Sequence, residues 1–250
     1  MAKASRANTQ PSVEELVALL KKTALPTVVC EGSDDLIIYR RLEDRLAHLG
    51  VSILPAGGRR NVLQVFERRK ELPANVQVAF LADLDTWVNV GVPQPYITSS
   101  LIFTDGYSIE NDVYCDGNFE CLLTGPEVAL YQADLDDFVH WYALALKRHL
   151  ADPTKPIKTH PKQVLDPAQR AALLAMELDE VYPQDIKIKL LANYNRLVRG
   201  KSLLGLLLKN TNSRPGQPFH TDRSLLEMVA ARPGPKMARL SSAIEAIFIA

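Results

Sequence analysis

The sequence predicts an α/β fold, a parallel sheet flanked by helices and followed by a helical C-terminal domain. Three observations predict it: four short apolar runs rich in β-branched residues lie before residue 105, helical patterns separate the first three, and only helical periodicity remains beyond about residue 125. Ser12 with Glu15 forms a capping box that opens an amphipathic helix over VEELVALLKK, which Pro26 stops. Thr27-Val28-Val29-Cys30 is too short for a helix and reads as a buried strand. Residues 51–54, 76–82 and 101–104 read the same way, with helices over 35–49 and 61–72 between the first three strands. The stretch 86–100 holds Gly91, Pro93 and Pro95 and reads as a loop. Helical periodicity then covers 134–150, 167–178, 185–199, 201–209, 222–231 and 236–249. The boundary falls at Thr124-Gly125-Pro126, giving an α/β domain over 1–125 and a helical domain over 126–250.

A chain of 250 residues makes one or two domains, and 47% apolar with 23% charged residues is an ordinary globular composition. The formal charge is zero, from 29 Lys plus Arg and 29 Asp plus Glu, which disfavours a uniformly basic nucleic-acid coater. The balance conceals a segregation. Residues 71–146 hold no Lys or Arg and twelve carboxylates, so that stretch carries −12 and the rest of the chain +12. No apolar run is long enough to span a membrane, and the polar start MAKASRANTQ lacks a signal-peptide core, so a cytoplasmic protein without a membrane partner is expected. Cys30, Cys115 and Cys121 show no CxxC or CxxH spacing and are expected to be buried thiols. His48, His140, His149, His160 and His220 show no triad or metal-ligand spacing, so a serine or cysteine hydrolase has no support. Trp87 is a candidate for stacking on a base, and Trp141 reads as core.

Functional groups of an open parallel sheet collect beyond the carboxyl ends of its strands. The first strand runs into Glu31-Gly32-Ser33-Asp34-Asp35, the third into Asp83-Leu84-Asp85, and the fourth into TDGYSIEN at 104–111. Alternation along an extended segment would put Asp83 and Asp85 on one side, where Glu31 could join them. Carboxylates gathered so closely repel unless a cation neutralises them, and residues 71–146 contain no basic partner of their own. Hard oxygen ligands without adjacent His or Cys select Mg²⁺ or Mn²⁺, one ion or two, with Asp35 and Glu110 as candidates for a second. Each piece also has a plainer reading. Asp34 suits a helix N-cap, Asp83-x-Asp85 a solvated loop, and Asp112, Asp116, Glu120, Asp134, Asp136 and Asp137 a solvated face and helix caps.

Gly57-Gly58, between the second strand and a helix, suits either a simple turn or backbone N–H groups presented to a phosphate, with Arg59 and Arg60 adding charge. Arg199 and Lys201 lie in a stretch, 185–239, with eleven Lys or Arg against three acids, which marks it as the surface for a nucleic-acid backbone.

EGSDD at 31–35 and DLD at 83–85, each after an apolar strand, resemble the Toprim domain of topoisomerases, primases and overcoming-lysogenisation-defect nucleases. GGRRNVL at 57–63, TDGYSIENDVY at 104–114 and VRGKSLLGLL at 198–207 are similar to a family of nuclease-like Toprim proteins that includes the effector of the PARIS phage-defence system. The resemblance covers about residues 27–210 and implies a Rossmann-like Toprim sheet. It implies Glu31, Asp83 and Asp85 as ligands of the first metal, Asp35 and Glu110 for the second, and Lys201 at the scissile phosphate. Arg59 departs from the family's usual Lys, and Asp112 stands where an aromatic is common. The expected activity is divalent-metal-dependent cleavage of phosphodiester bonds in DNA or RNA, transfer RNA included. The expected partners are the nucleic acid, a separate ABC-type ATPase sensor, since this chain has no GxxxxGK[ST] motif, and a second copy of the chain. Two other readings compete. Asp83-Leu84-Asp85-Thr86 after VAFLA also resembles the nucleophile motif of haloacid-dehalogenase-type phosphatases, although that family places it on the first strand. The third is a non-catalytic Toprim-like binding module.

Overall fold

The computed structural model describes residues 10–32, 36–212 and 219–249. By its internal contacts the chain divides into two units, one of residues 1–83, 93–103 and 239–250, the other of residues 84–92 and 104–238.

The first unit is an α/β layer structure. Helix α1 (Val13–Leu20) opens on the Ser12–Glu15 capping box and buries Leu16, Val17 and Leu20. Strands β1 (Thr27–Cys30), β2 (Ser52–Pro55), β3 (Val78–Ala82) and β4 (Leu101–Phe103) form one sheet in the order β2-β1-β3-β4. All three pairings are parallel, with Val28 beside Ile53 and Ala79, and Leu81 beside Ile102. Parallel strands covered on both faces need continuous apolar runs, which is why TVVC and VAFLA do not alternate. Helices α2 (Leu36–Arg45) and α3 (Arg59–Glu67) are the crossovers. On α3, Phe66 meets Phe80 of β3 edge to face at 5.4 Å.

The second unit is helical. It begins with the short helix α4 (Trp87–Val90), where the sequence suggests only loop; Gly91, at φ 93°, ends it. Helix α5 (Ile109–Gly117) packs against α10 (Tyr194–Leu197), α11 (Gly200–Thr211) and α12 (Asp222–Ala231). Helix α6 (Gly125–Ala151) is continuous over 27 residues, starting nine residues before the periodicity expected from 134. Its start is set by a capping box in which Thr124 and Glu127 satisfy each other's backbone N–H groups. Asp134, Asp136 and Asp137 therefore lie within a helix rather than at its start. Short helices α7 (Pro161–Val164) and α8 (Pro167–Leu173) follow. Helix α8 stops before 178 because Arg148 and Glu180 pin the next segment: Arg148 Nη2 donates to Ala175 O at 2.7 Å, and Glu180 accepts from Glu177 N at 2.9 Å. The helix expected over 185–199 is broken at Asn193 into α9 (Gln184–Ala192) and α10. Helix α13 (Pro235–Ile249) follows, its residues from 239 onward counted with the first unit. Trp141 is core, 3% exposed, among Phe138 and Tyr142. No described helix is long and apolar enough to cross a membrane.

No disulfide joins the cysteines, and only Cys30 is fully buried; Cys115 is half-buried and Cys121 exposed.

Candidate functional site

In a sheet ordered β2-β1-β3-β4 the chain leaves β1 toward one edge and returns to β3 toward the other, so the switch point lies between the carboxyl ends of β1 and β3. Glu31 is the residue after β1 and Asp83 the residue after β3. They meet there: Glu31 Oε1 accepts the Asp83 backbone N–H at 2.7 Å. Arg59, in the first turn of α3, donates from Nε to the Asp83 carbonyl at 2.8 Å, which brings a guanidinium to the same strand end. The β2 end is tied in as well, since Ala56 N–H donates to Cys30 O at 2.7 Å and Asn61 Nδ2 holds Ala56 O at 2.7 Å. Gly57 and Gly58 make the turn with φ of 81° and 135°, the left-handed region that side chains resist. Gly58 caps α3 without any side-chain hydrogen bond, and Arg60 beside it is exposed.

Asp85 departs from the expected geometry. Its φ is 48°, so the chain has already turned at that residue, and strand alternation no longer governs where its carboxylate points. An Asp tolerates this region better than most residues, and Asp85 N–H is held by Tyr107 O at 2.7 Å. Asp35, expected as a second-metal ligand, lies outside the described residues, as do Ser33 and Asp34.

The second unit assembles the YSIEN and RGK segments into one constellation. Asn111 Oδ1 accepts from Ser108 N and Oγ at 3.0 and 3.1 Å, while its Nδ2 donates to Asn195 O and Val198 O, both at 2.8 Å. Tyr107 N–H donates to Arg196 O at 2.8 Å. This stitching brings the start of α11 onto the start of α5 so closely that a Cβ on Gly200 would lie 2.7 Å from Asn111 Oδ1 and 2.8 Å from both Glu110 Cβ and Ser108 Oγ. The result is an ion pair between Lys201 Nζ and Glu110 Oε1 at 3.6 Å, with Glu110 only 3% exposed. Ser202, next along α11, has a buried hydroxyl with no hydrogen-bond partner among the described residues. Asp222, at the start of α12, belongs to the same group. Burial, and then the charge of Glu110, raise its pKa, against lowering by Lys201 and His160. Arg199 and Lys201 line a cavity of about 660 Å³.

Sequence reasoning quoted Ser108, Asn111 and Gly200 within motif segments but gave them no role, and did not single out Asp222. The clue available was the tight glycine before Lys201; the contacts themselves join segments more than eighty residues apart.

The carboxylates set aside as a solvated face are mostly engaged. Asp112 is buried and accepts the Asp105 and Gly106 N–H groups at 3.0 and 2.9 Å. Glu120 accepts from the Tyr114 and Tyr194 hydroxyls at 3.0 and 2.6 Å. Asp134, Asp136 and Asp137 pair with Lys209, Lys187 and Arg170. Asp105 pairs with Lys236 and Arg196. These members of the acidic stretch thus take their cations from the rest of the chain, and need no metal to offset their charge.

Among the described residues no three His, Cys, Asp or Glu side chains form a metal-holding group. Glu31 and Asp83, joined through the Asp83 backbone N–H, nonetheless have the right side-chain chemistry, hard carboxylate oxygens, for Mg²⁺ or Mn²⁺. No protein-family model matches the chain. No curated protein matches it either.

Proposed function

We propose that the protein is a divalent-metal-dependent nuclease that cleaves phosphodiester bonds. The observation that carries this reading is the meeting of Glu31 and Asp83 at the β1/β3 switch point, where open parallel sheets place their ligands. Glu31 and Asp83 would hold the metal, with Asp85 and Asp35 as the further candidates the motif resemblance names, and the ion would stabilise charge on the reacting phosphodiester oxygens. The chain's own part at this point is electrostatic. Arg59, anchored on the Asp83 carbonyl, and the Gly57-Gly58 turn at the α3 N-terminus together favour an anionic phosphate near the carboxylates. Lys201 is assigned to phosphate negative charge, its ammonium group kept in place by buried Glu110. The resemblance extends the proposal to an antiviral effector acting with a separate ATPase.

Glu31→Gln tests the reading well because the amide oxygen still accepts the Asp83 N–H while the charge is gone. With purified protein, Mg²⁺ and single-stranded, duplex and transfer RNA or DNA substrates, this variant should cut at least 100-fold more slowly than the wild type at an unchanged melting temperature. Undiminished Mg²⁺-dependent cutting by both Glu31→Gln and Asp83→Asn would overturn the assignment. Sequencing nucleic-acid ends from cells expressing wild type and Glu31→Gln identifies the substrate in the same comparison.

A further inference from the structure

We propose that the helical unit carries a nucleotide-binding cavity in which Phe219 stacks on the base and Lys162, Lys201 and Lys209 take the phosphate. The ligand chemistry is a base joined to a phosphate, whether a free mononucleotide or one unit of a single strand. The proposal deepens the nuclease reading and rests on it for the second of these sources.

The cavity, about 660 Å³, lies within the range of about 300–1,000 Å³ usual for small-molecule sites. One wall is a single stripe of Lys201, Gly205 and Lys209 on α11 and Asn212 at its C-cap, residues spaced by three or four and so on one side. Gly205 is the informative member. A glycine in a helix interior is less favourable than alanine. Here, among the described residues, a Cβ would meet only Pro161, at 3.5 Å, an ordinary contact that does not require the glycine. Its effect is to leave the middle of the cavity wall bare, beside apolar Leu208 and Pro161, where a flat base can lie.

The charged groups are arranged around that floor. Lys201 and Lys209 are about two-fifths exposed, and their ion-pair partners, Glu110 and Asp134, have side chains only 4% and 17% exposed. The less exposed carboxylates therefore anchor the two ammonium groups, and both lysines line the cavity. Lys162 and Arg199 add positive charge to the same lining, against one lining carboxylate, Asp222. His160 Nδ1 accepts the Lys162 N–H at 3.1 Å, which leaves Nε2 to carry the ring proton in the neutral form. Phe219 completes the lining with its side chain largely in solvent, the residue being 74% exposed. An aromatic ring displayed beside several cations matches the usual platform for stacking a base whose phosphate is held electrostatically. A bare phosphate would not use the ring or the apolar floor, and an apolar ligand would not use the lysines.

The full-length protein is titrated in EDTA, without cleavage, with adenosine 5′-monophosphate, adenosine, inorganic phosphate and a short oligodeoxyadenylate, and heat release or anisotropy is measured. The variants are Phe219→Ala and Lys162→Glu, both at exposed positions, checked by circular dichroism melts. The mononucleotide or the oligonucleotide should bind, and each substitution should weaken it about tenfold, with adenosine and inorganic phosphate much weaker than either. Equal affinity for mononucleotide and oligonucleotide identifies a free nucleotide as the ligand; tighter oligonucleotide binding identifies a strand. Glu31→Gln should bind like wild type, so loss of cleavage with intact binding, or the reverse, separates this proposal from the nuclease reading. Absence of binding by every phosphate-bearing probe, or affinity unchanged in both variants, overturns it, as does phosphate alone binding as tightly as the nucleotide.

Discussion

Gly200 shows how much the second unit depends on single atoms. Its backbone sits where no methyl group fits, within 2.8 Å of atoms from Ser108, Glu110 and Asn111, all part of a hydrogen-bonded cluster that cannot move aside freely. Gly200→Ala should therefore destabilise the protein by about 1–3 kcal/mol, the usual cost of overpacking. Gly125, in the first turn of α6, has open space around its missing Cβ, and Gly125→Ala should be neutral or gain up to about 1 kcal/mol. Urea unfolding of both variants checks the contrast, and equal stabilities would refute the tight junction. The same junction explains what could and could not be read from the sequence at this scale. Glu31, Asp83, Glu110 and Lys201 stand out because acidic residues after apolar runs, and a lysine after a glycine, are local patterns. The Lys201 partner of Glu110 and the Tyr194 partner of Glu120 arise from contacts distant in sequence, while Asp112 turns back on the N–H groups of Asp105 and Gly106, and no local pattern distinguishes these three from solvated acids. Asp85 misled for a different reason: strand alternation was carried three residues past a strand that ends at Ala82.

At the level of elements, strands were the most legible because both faces of the sheet are covered and the runs are unbroken. Ends of helices were legible where the cap is local and periodicity begins at once, as at Ser12. Thr124 also has a local capping box, but the first turns of α6 leave Leu130 exposed beside buried Tyr131, so the apolar stripe emerges only later. The cap of α13 could not be read at all. Its first-turn N–H groups at Lys236 and Met237 donate to the Asp116 carboxylate at 2.9 and 2.8 Å, from a residue about 120 positions earlier in the chain. Gly234 permits the approach, since a Cβ there would come within 2.6 Å of Asp116. Asp116→Ala should cost about 1–2 kcal/mol in urea unfolding, as loss of an N-cap does, and Asp116→Asn less, because an amide oxygen still accepts one bond. A cost below about 0.3 kcal/mol for the alanine variant would show that water replaces the cap.

For the molecule as a whole, zero net charge is maintained by pairing the acidic stretch with cations from elsewhere in the sequence. Glu71 pairs with Lys21 and Arg68 in the first unit, and Asp134, Asp136 and Asp137 with Lys209, Lys187 and Arg170 in the second. Part of the basic surplus is thereby used internally, so nucleic-acid affinity depends on where the remaining charge lies rather than on its sum. Such pairs make stability depend on acid. A hydrogen bond from Arg68 lowers the Glu71 pKa to about 2, and one from Arg148 does the same for Glu180. Carboxylates whose folded pKa lies below the unfolded value of about 4.3 stabilise the fold above that value and lose their contribution as pH falls toward about 2. Asp222 acts in the opposite sense, because burial raises its pKa and protonation relieves a cost; it offsets part of the loss. Glu180 offers the cleanest test: its side chain is 12% exposed and Arg148 Nε lies 2.8 Å from Oε1. At pH 7 Glu180→Gln should be less stable than wild type by about 1–2 kcal/mol, after discounting for partial solvent screening. That gap should shrink between pH 4.5 and 2 as the wild-type carboxylate takes up its proton. Thermal or urea unfolding of both proteins across this window measures it, and a gap that stays constant down to pH 2 would show that the Arg148–Glu180 pair does not hold the carboxylate ionised.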